Sequence, residues 1–310
     1  HNDGWYGESL IAQVSLYEIA CQRYNNDPFF LSVLQQCYRY TDRNFGEALQ
    51  NNIEIPQVTS METWPSVHFK ETGYAVLRSG TKTVVMKYGP HGGGHGHPDK
   101  LSISIHDGEK EIVSDMGTCA YGVPAFTKWY RKTLSHSTLT VDAKDQKEST
   151  GKLLAFKAYK DGGEVSAEAP DAYSGVTMER KLILKKNKLT DILTARSDEQ
   201  HLYDYVLILT EKPVFSQTGE VIILNDSPSY NYIKNAIVQK QSSPLSCKIG
   251  KAYMKIEVSE GQEFEVITGE APGIPPGNGS VLSKYDSPFC YPLIVRVKDK
   301  KLRIKTEWKF

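Results

Sequence analysis

The chain has 310 residues, 39% of them hydrophobic, and its 37 Lys+Arg balance its 37 Asp+Glu. That length supports one large domain or two ordinary ones around a sizeable core, and the neutral balance removes the basic footprint of a nucleic-acid binder. No run of about 18 apolar residues exists to cross a membrane as a helix, and five scattered cysteines without CxxC spacing form neither a disulfide framework nor a zinc ribbon.

In chain order, the opening HNDGWYGES has no initiator Met and no apolar signal core, so it reads as a processed or truncated end that leaves export open. From Glu8 to Leu49 the apolar residues recur at helical spacing, through Val14, Tyr17 and Ile19 and again through Phe30, Val33 and Leu34. Asn26-Asp27-Pro28 divides them into a helical hairpin, with Asp27 as N-cap and Pro28 at the first helical position. Two helices cannot bury their apolar stripes alone and must lean on another element. Residues 51–66, with Pro56 and Pro65, read as a linker.

The period then changes to two. Strands are predicted at Tyr74–Arg78, Thr83–Lys87, Leu101–Ile105, Glu111–Val113, Thr138–Val141, Leu182–Leu184, Tyr205–Leu209 and Val221–Leu224. Turns such as Ser79-Gly80 and Asp107-Gly108 separate them, which predicts a large antiparallel sandwich. Tyr74 and Tyr159 are expected in its core. Glu270–Ser280, rich in Pro and Gly, reads as a loop. The fold class is α+β: a helical segment over residues 1–55 and a β-sandwich over 56–310.

The densest chemistry is PHGGGHGHPDK at 90–100. His95 and His97, two residues apart before a strand, can face the same side, and the glycines remove Cβ bulk beside a ligand. A hairpin at Asp107-Gly108 brings Asp115 back to the level of His97, and His136 opens the next strand. Two imidazoles and a carboxylate suit zinc, with a fourth position open. Between them Tyr121, Trp129, Tyr130 and Arg131 offer stacking faces for sugar rings and a guanidinium fork for a carboxylate.

GPHGGGHGHPDKLSISI, VSDMGTCAYG and WYRKTLSHSTLTVD together resemble the heparinase II/III-like polysaccharide lyases, most of all their exolytic oligoalginate and exo-heparin branch. The resemblance is specific over most of residues 74–146 and looser over 1–50. It implies an N-terminal α/α toroid joined to a C-terminal sandwich, and cleavage of heparin, heparan sulfate or alginate by β-elimination in the cleft between them. It further implies that His97, Asp115 and His136 hold a structural zinc, that His95 is the cleft histidine of catalysis, and that Tyr121 and Arg131 line the cleft. A complete toroid needs many more helices than residues 1–50 supply, and the family's catalytic Tyr motif is not matched around Tyr6. The expectation is therefore the C-terminal part of a longer periplasmic or secreted enzyme, its partners an acidic polysaccharide and the remaining toroid portion.

Two rivals are carried forward. His95-Gly96-His97-Pro98-Asp99 fits half of a dinuclear metallohydrolase HxHxD motif, but Lys100 stands where a further His belongs. A non-catalytic carbohydrate-binding sandwich is the other.

Overall fold

The Asp27 side chain closes the start of the second of two N-terminal helices: Phe29 N donates to its Oδ1 at 2.9 Å, a capping bond worth about 1 kcal/mol. The structure, a computed structural model, describes residues 14–38, 64–108, 110–119, 121–274 and 289–310. Helices α1 (Val14–Arg23) and α2 (Pro28–Tyr38) form the expected hairpin. Val14, Cys21, Leu31, Val33, Leu34 and Cys37 make their small core, against which Trp64 packs. The outer parts of the expected helical stretch, Tyr6, and most of the 51–66 linker lie outside the described residues.

Beyond residue 66 the period-2 pattern gives seventeen strands among the described residues, every pairing antiparallel. They are β1 (Val67–Phe69), β2 (Tyr74–Ser79), β3 (Lys82–Lys87), β4 (Ser102–Asp107), β5 (Lys110–Val113) and β6 (Leu139–Val141). Next come β7 (Lys152–Tyr159), β8 (Gly162–Glu168), β9 (Thr177–Lys185) and the long β10 (Lys188–Leu209). The last seven are β11 (Val214–Phe215), β12 (Glu220–Val221), β13 (Lys234–Gln241), β14 (Leu245–Ile249), β15 (Ala252–Val258), β16 (Phe264–Pro272) and β17 (Phe289–Lys309). The fold class is as expected, a helical segment ahead of a large antiparallel sandwich.

Some boundaries move. Of the predicted 221–224 strand only Val221 lies in β12, which starts one residue earlier at Glu220, and Ile223 is exposed. Glu270–Pro272 complete β16 because Glu270 pairs with β13 and Ala271 and Pro272 with β17, so the predicted loop begins later, and from residue 275 it lies outside the described residues. All five cysteines are buried.

Strands β10 and β17 run together for almost their whole length and change neighbours midway, where the register shifts between Arg196 and His201. The first half of β10 pairs with β9 and the second with β6 and β5. In the second half Tyr203, Tyr205, Leu207 and Leu209 enter one core while Val206 and Ile208 enter another. Burial on both faces explains why YVLIL reads as a continuous apolar run there.

At this shift Asp142 receives the Leu202 amide at 3.0 Å and lies 2.8 Å from His201 Nδ1. Burial pushes its carboxyl upward, but the Leu202 amide and His201 outweigh that and hold it below the ordinary carboxylate range. Stability from a depressed carboxylate is present above its unfolded value of about 3.9 and is lost as pH falls through the folded value. Asp142→Asn should therefore cost under about 1 kcal/mol at neutral pH and flatten the acid limb of the stability curve, read by urea unfolding at successive pH values. An unchanged acid limb would remove Asp142 from that account.

One buried ion pair ties the layers to the histidine segments. Arg180, fully buried, meets Asp191 through Nε at 2.9 Å and Nη2 at 2.6 Å. Its Nη1 donates to the carbonyls of Leu101 at 2.8 Å and Ser137 at 2.6 Å. Tyr205 completes the group by donating to Asp191 at 2.6 Å.

Candidate active site

The segment between the glycine loop and β4 is buried, which obliges its polar groups to find partners. Gln146 accepts from the Lys100 amide at 2.6 Å and donates to the Lys100 carbonyl at 3.1 Å. Thr138 donates to that same carbonyl at 2.6 Å, and Thr133 to the Pro98 carbonyl at 2.8 Å. Leu101, fully buried, takes a left-handed φ of 61°, a conformation costly for a γ-branched residue and sustained only by such bracing.

This clamp sets His97 and Asp99, both 0% exposed, beside His136, 1% exposed. The His97 and His136 rings stand 5.2 Å apart, centroid to centroid. Asp115 follows β5, its Oδ1 accepting from the Gly117 amide at 2.9 Å and its Oδ2 lying 3.5 Å from His136 Nδ1. His97, Asp115 and His136 thus share one neighbourhood.

Among the described residues, however, the donor group that converges is Asp99, Asp115 and His136, with one ligand atom from each all within 4.8 Å of one another. Asp99 had no place in the predicted ligand set, because its sequence signal was spent on the HxHxD rival. Its charge is already answered, by Lys87 Nζ at 2.5 Å and Lys100 Nζ at 3.7 Å. Burial pushes the Asp99 carboxyl upward, but Lys87, His136 and Lys100 outweigh this and leave it below its ordinary value. Burial drives Lys100 the other way, below the usual lysine range despite Asp99.

Apart from Asp115 Oδ2, 3.5 Å from Nδ1, no hydrogen-bonding partner reaches either ring nitrogen of His136 among the described residues. A buried polar atom left so costs about 1–3 kcal/mol. Asp99 thus sits in the converging donor group with two ammonium groups beside it, while His97 lies outside it, its ring 5.2 Å from that of His136.

Above this layer the rim is exposed. His95 Nδ1 stands 3.4 Å from the hydroxyl of Tyr121, which is 62% exposed. Phe126 supports both sides of the rim: the Tyr121 ring lies 4.7 Å from it and the Arg131 guanidinium 5.4 Å. Arg131 Nη2 donates to the carbonyls of Gly94 and Gly96, each at 2.9 Å, so much of its donor capacity pins the glycine loop. A Cβ at Gly96 would stand 2.6 Å from both Gly92 N and His91 Nε2, which is why this position admits no side chain. Beside the rim lies a shallow recess of about 310 Å³, lined among others by His91, Pro98, Thr127 and Arg131.

Two expected sugar-stacking residues are corrected. Trp129 is 0% exposed and donates its indole N–H to the Pro272 carbonyl at 2.9 Å; Tyr130, 5% exposed, donates to the Gly273 carbonyl at 2.7 Å. Both belong to the core under a wide helical turn over Phe126–Tyr130, which turns their rings inward.

Residues 61–207 match the family model described as Heparinase II/III-like, C-terminal. This segment is similar to the heparinase II/III-like C-terminal domains. An exo-oligoalginate lyase of Saccharophagus degradans is 29% identical over 150 residues, which are 40% of this chain and 20% of that protein. An alginate lyase of Stenotrophomonas maltophilia is 28% identical over 162 residues, covering 44% and 22%. Among solved structures, the heparan sulfate lyase HepC of Pedobacter heparinus superposes with a TM-score of 0.68 at 15% identity, over 99% of this chain and 43% of that one. A heparinase III gives 0.65 at 15% identity, over 99% and 44%. These two share the sandwich fold. The matched region spans about a fifth of the curated relatives' length, and the chain under half of the solved structures.

Proposed function

We propose that this chain is the C-terminal part of a polysaccharide lyase that cleaves a uronate-containing polymer by β-elimination. The supporting observation is the exposed His95–Tyr121 pair held directly over a buried histidine–aspartate cluster, in a segment similar to the heparinase II/III-like C-terminal domains. Loss of the C5 proton is prohibitive while the neighbouring carboxylate is anionic. His95, with the Tyr121 hydroxyl beside it, supplies donors that neutralise that charge or help move the proton, and Arg131 holds the glycine loop that carries His95. Preorganised donors at such a charge are worth orders of magnitude in rate. The relatives' names divide between alginate and heparan sulfate; of the two we favour a heparin-type substrate, because Arg131 lines the recess. Absorbance of unsaturated uronate, followed on alginate, heparin and heparan sulfate with the whole protein, tests both statements. No chromophore on any of the three would overturn the first, and turnover of alginate alone the second.

His97, Asp115 and His136 would hold zinc, and its contribution there is structural: it braces the segments that present His95. The purified protein should carry about one zinc per chain by mass spectrometry. Chelation should remove about 2.7 kcal/mol of stability at metal 100-fold above its dissociation constant. His136→Ala should abolish zinc binding while His95→Ala retains it; equal zinc in both variants would sink this division of roles.

A further inference from the structure

Antiparallel pairing places directly opposed residues on the same face of a sheet. In this fold that rule assembles one row from seven strands that are not all consecutive in the chain. Tyr159 stands opposite Gly162, and Gly162 opposite Lys185. Lys185 stands opposite Lys188, and Lys188 opposite Lys309. Tyr253 lies between Lys309 and Lys248. With strands about 4.8 Å apart, six spacings give a row about 29 Å long.

The row faces solvent. Lys185, Lys188, Lys248 and Lys309 are exposed, and Tyr253 is 56% exposed. Tyr159, expected in the core, is only partly buried on this outer face. Gly162 admits no side chain, since a Cβ there would stand 1.9 Å from the Leu184 carbonyl oxygen. Its bareness lets Lys185 reach over the Tyr159 ring at 5.5 Å, while Lys248 stands 5.8 Å from the ring centre of Tyr253. No ion pair among the described residues engages these four lysines, whereas Lys255 and Lys305, in neighbouring rows, are paired with Glu257 and Glu307. A recess of about 500 Å³ opens at one end, lined by Tyr159, Asp161 and the lysines at 160, 185, 186 and 188.

We propose that this row is a docking site for an extended acidic polysaccharide, separate from the His95 site. The lysines meet carboxylate or sulfate groups along the strand, and the two tyrosine faces receive sugar rings. The row lies on the opposite face of β9 and β10 from Arg180 and Asp191, whose side chains turn inward toward the Leu101 and Ser137 segments. The choice of a glycan over another polyanion rests on the lyase reading. Such a site would hold a polymer on the enzyme between cleavages and would be unused by short fragments.

The test is electrophoresis of the whole protein through native gels cast with alginate, heparin or neutral dextran. Retardation by the acidic polymers and not by dextran is expected; alginate isolates the carboxylate contribution and heparin adds sulfate. In K185Q/K188Q/K309Q the apparent dissociation constant should rise roughly tenfold, about what three exposed ion pairs supply. Y159A/Y253A should weaken glycan binding while sparing retardation by polyglutamate. Turnover of short uronate oligosaccharides should stay unchanged in both variants. Retardation of the triple variant equal to that of the parent would overturn the proposal. So would equal retardation by single-stranded DNA, polyglutamate and glycans together with indifference to the tyrosine change, which describes a simple ion exchanger. Row-dependent retardation in a protein with no eliminase activity would support the docking site and sink only the lyase reading.

Discussion

Changing His95 to Ala in the whole protein is expected to lower uronate elimination by about 10²–10⁴-fold, the range typical of a positioned proton-transfer group, while stability and zinc content stay at parental values. The imidazole is exposed on a loop held by other atoms: Arg131 pins the carbonyls of Gly94 and Gly96, and the clamp on Pro98 and Lys100 lies on the far side of His97. Removing it therefore leaves the buried layer intact. Tyr121→Phe removes only the hydroxyl facing His95 and should cost less. If His95→Ala turns over at the parental rate, the rim is not the reacting centre, whatever the buried cluster holds. If it instead loses stability comparable to His136→Ala, His95 belongs to the scaffold.

Arg180→Met is expected to destabilise the fold by about 3–5 kcal/mol, because it strands Asp191 as an uncompensated buried charge. It also removes the donors to the Leu101 and Ser137 carbonyls, which flank the His97 and His136 segments. Urea unfolding should show the loss, and any variant that still folds should bind zinc more weakly. The control is R180M/D191L, in which both charges leave together; a buried pair replaced by apolar groups of similar volume is often near neutral. If single and double variants lose the same stability, the cost lies in the lost carbonyl contacts rather than in the stranded charge.

Much of this was legible locally. The Asn26-Asp27-Pro28 break carried both the end of α1 and the capped start of α2, since N-cap chemistry acts within three residues. Period-2 alternation located β2 to β6, short parts of β9 and β10 and one residue of β12, but not β7, β8 or β13 to β17, whose alternation is broken by charged residues on the solvent face. His95, His97, Asp115 and His136 stood out because glycines and strand ends surround imidazoles there. Residue type misled where shape mattered: Trp129 and Tyr130 look like a sugar platform, yet the wide turn over Phe126–Tyr130 drives them inward, where their polar atoms find carbonyls at 272 and 273.

The sequence by itself determined the helical hairpin, the strands between residues 74 and 141 and the grouping of chemistry around residues 90–136, because periodicity, capping and turn preferences act over a few residues. Only the tertiary structure decided that Asp99 is neutralised by Lys87, that Arg180 ties two distant segments, and that Lys185, Lys188, Lys309 and Lys248 stand in one row. Those facts depend on strand order and register, which arise from burial summed over the whole sandwich; a slip of one residue in one strand would turn its lysine to the opposite face.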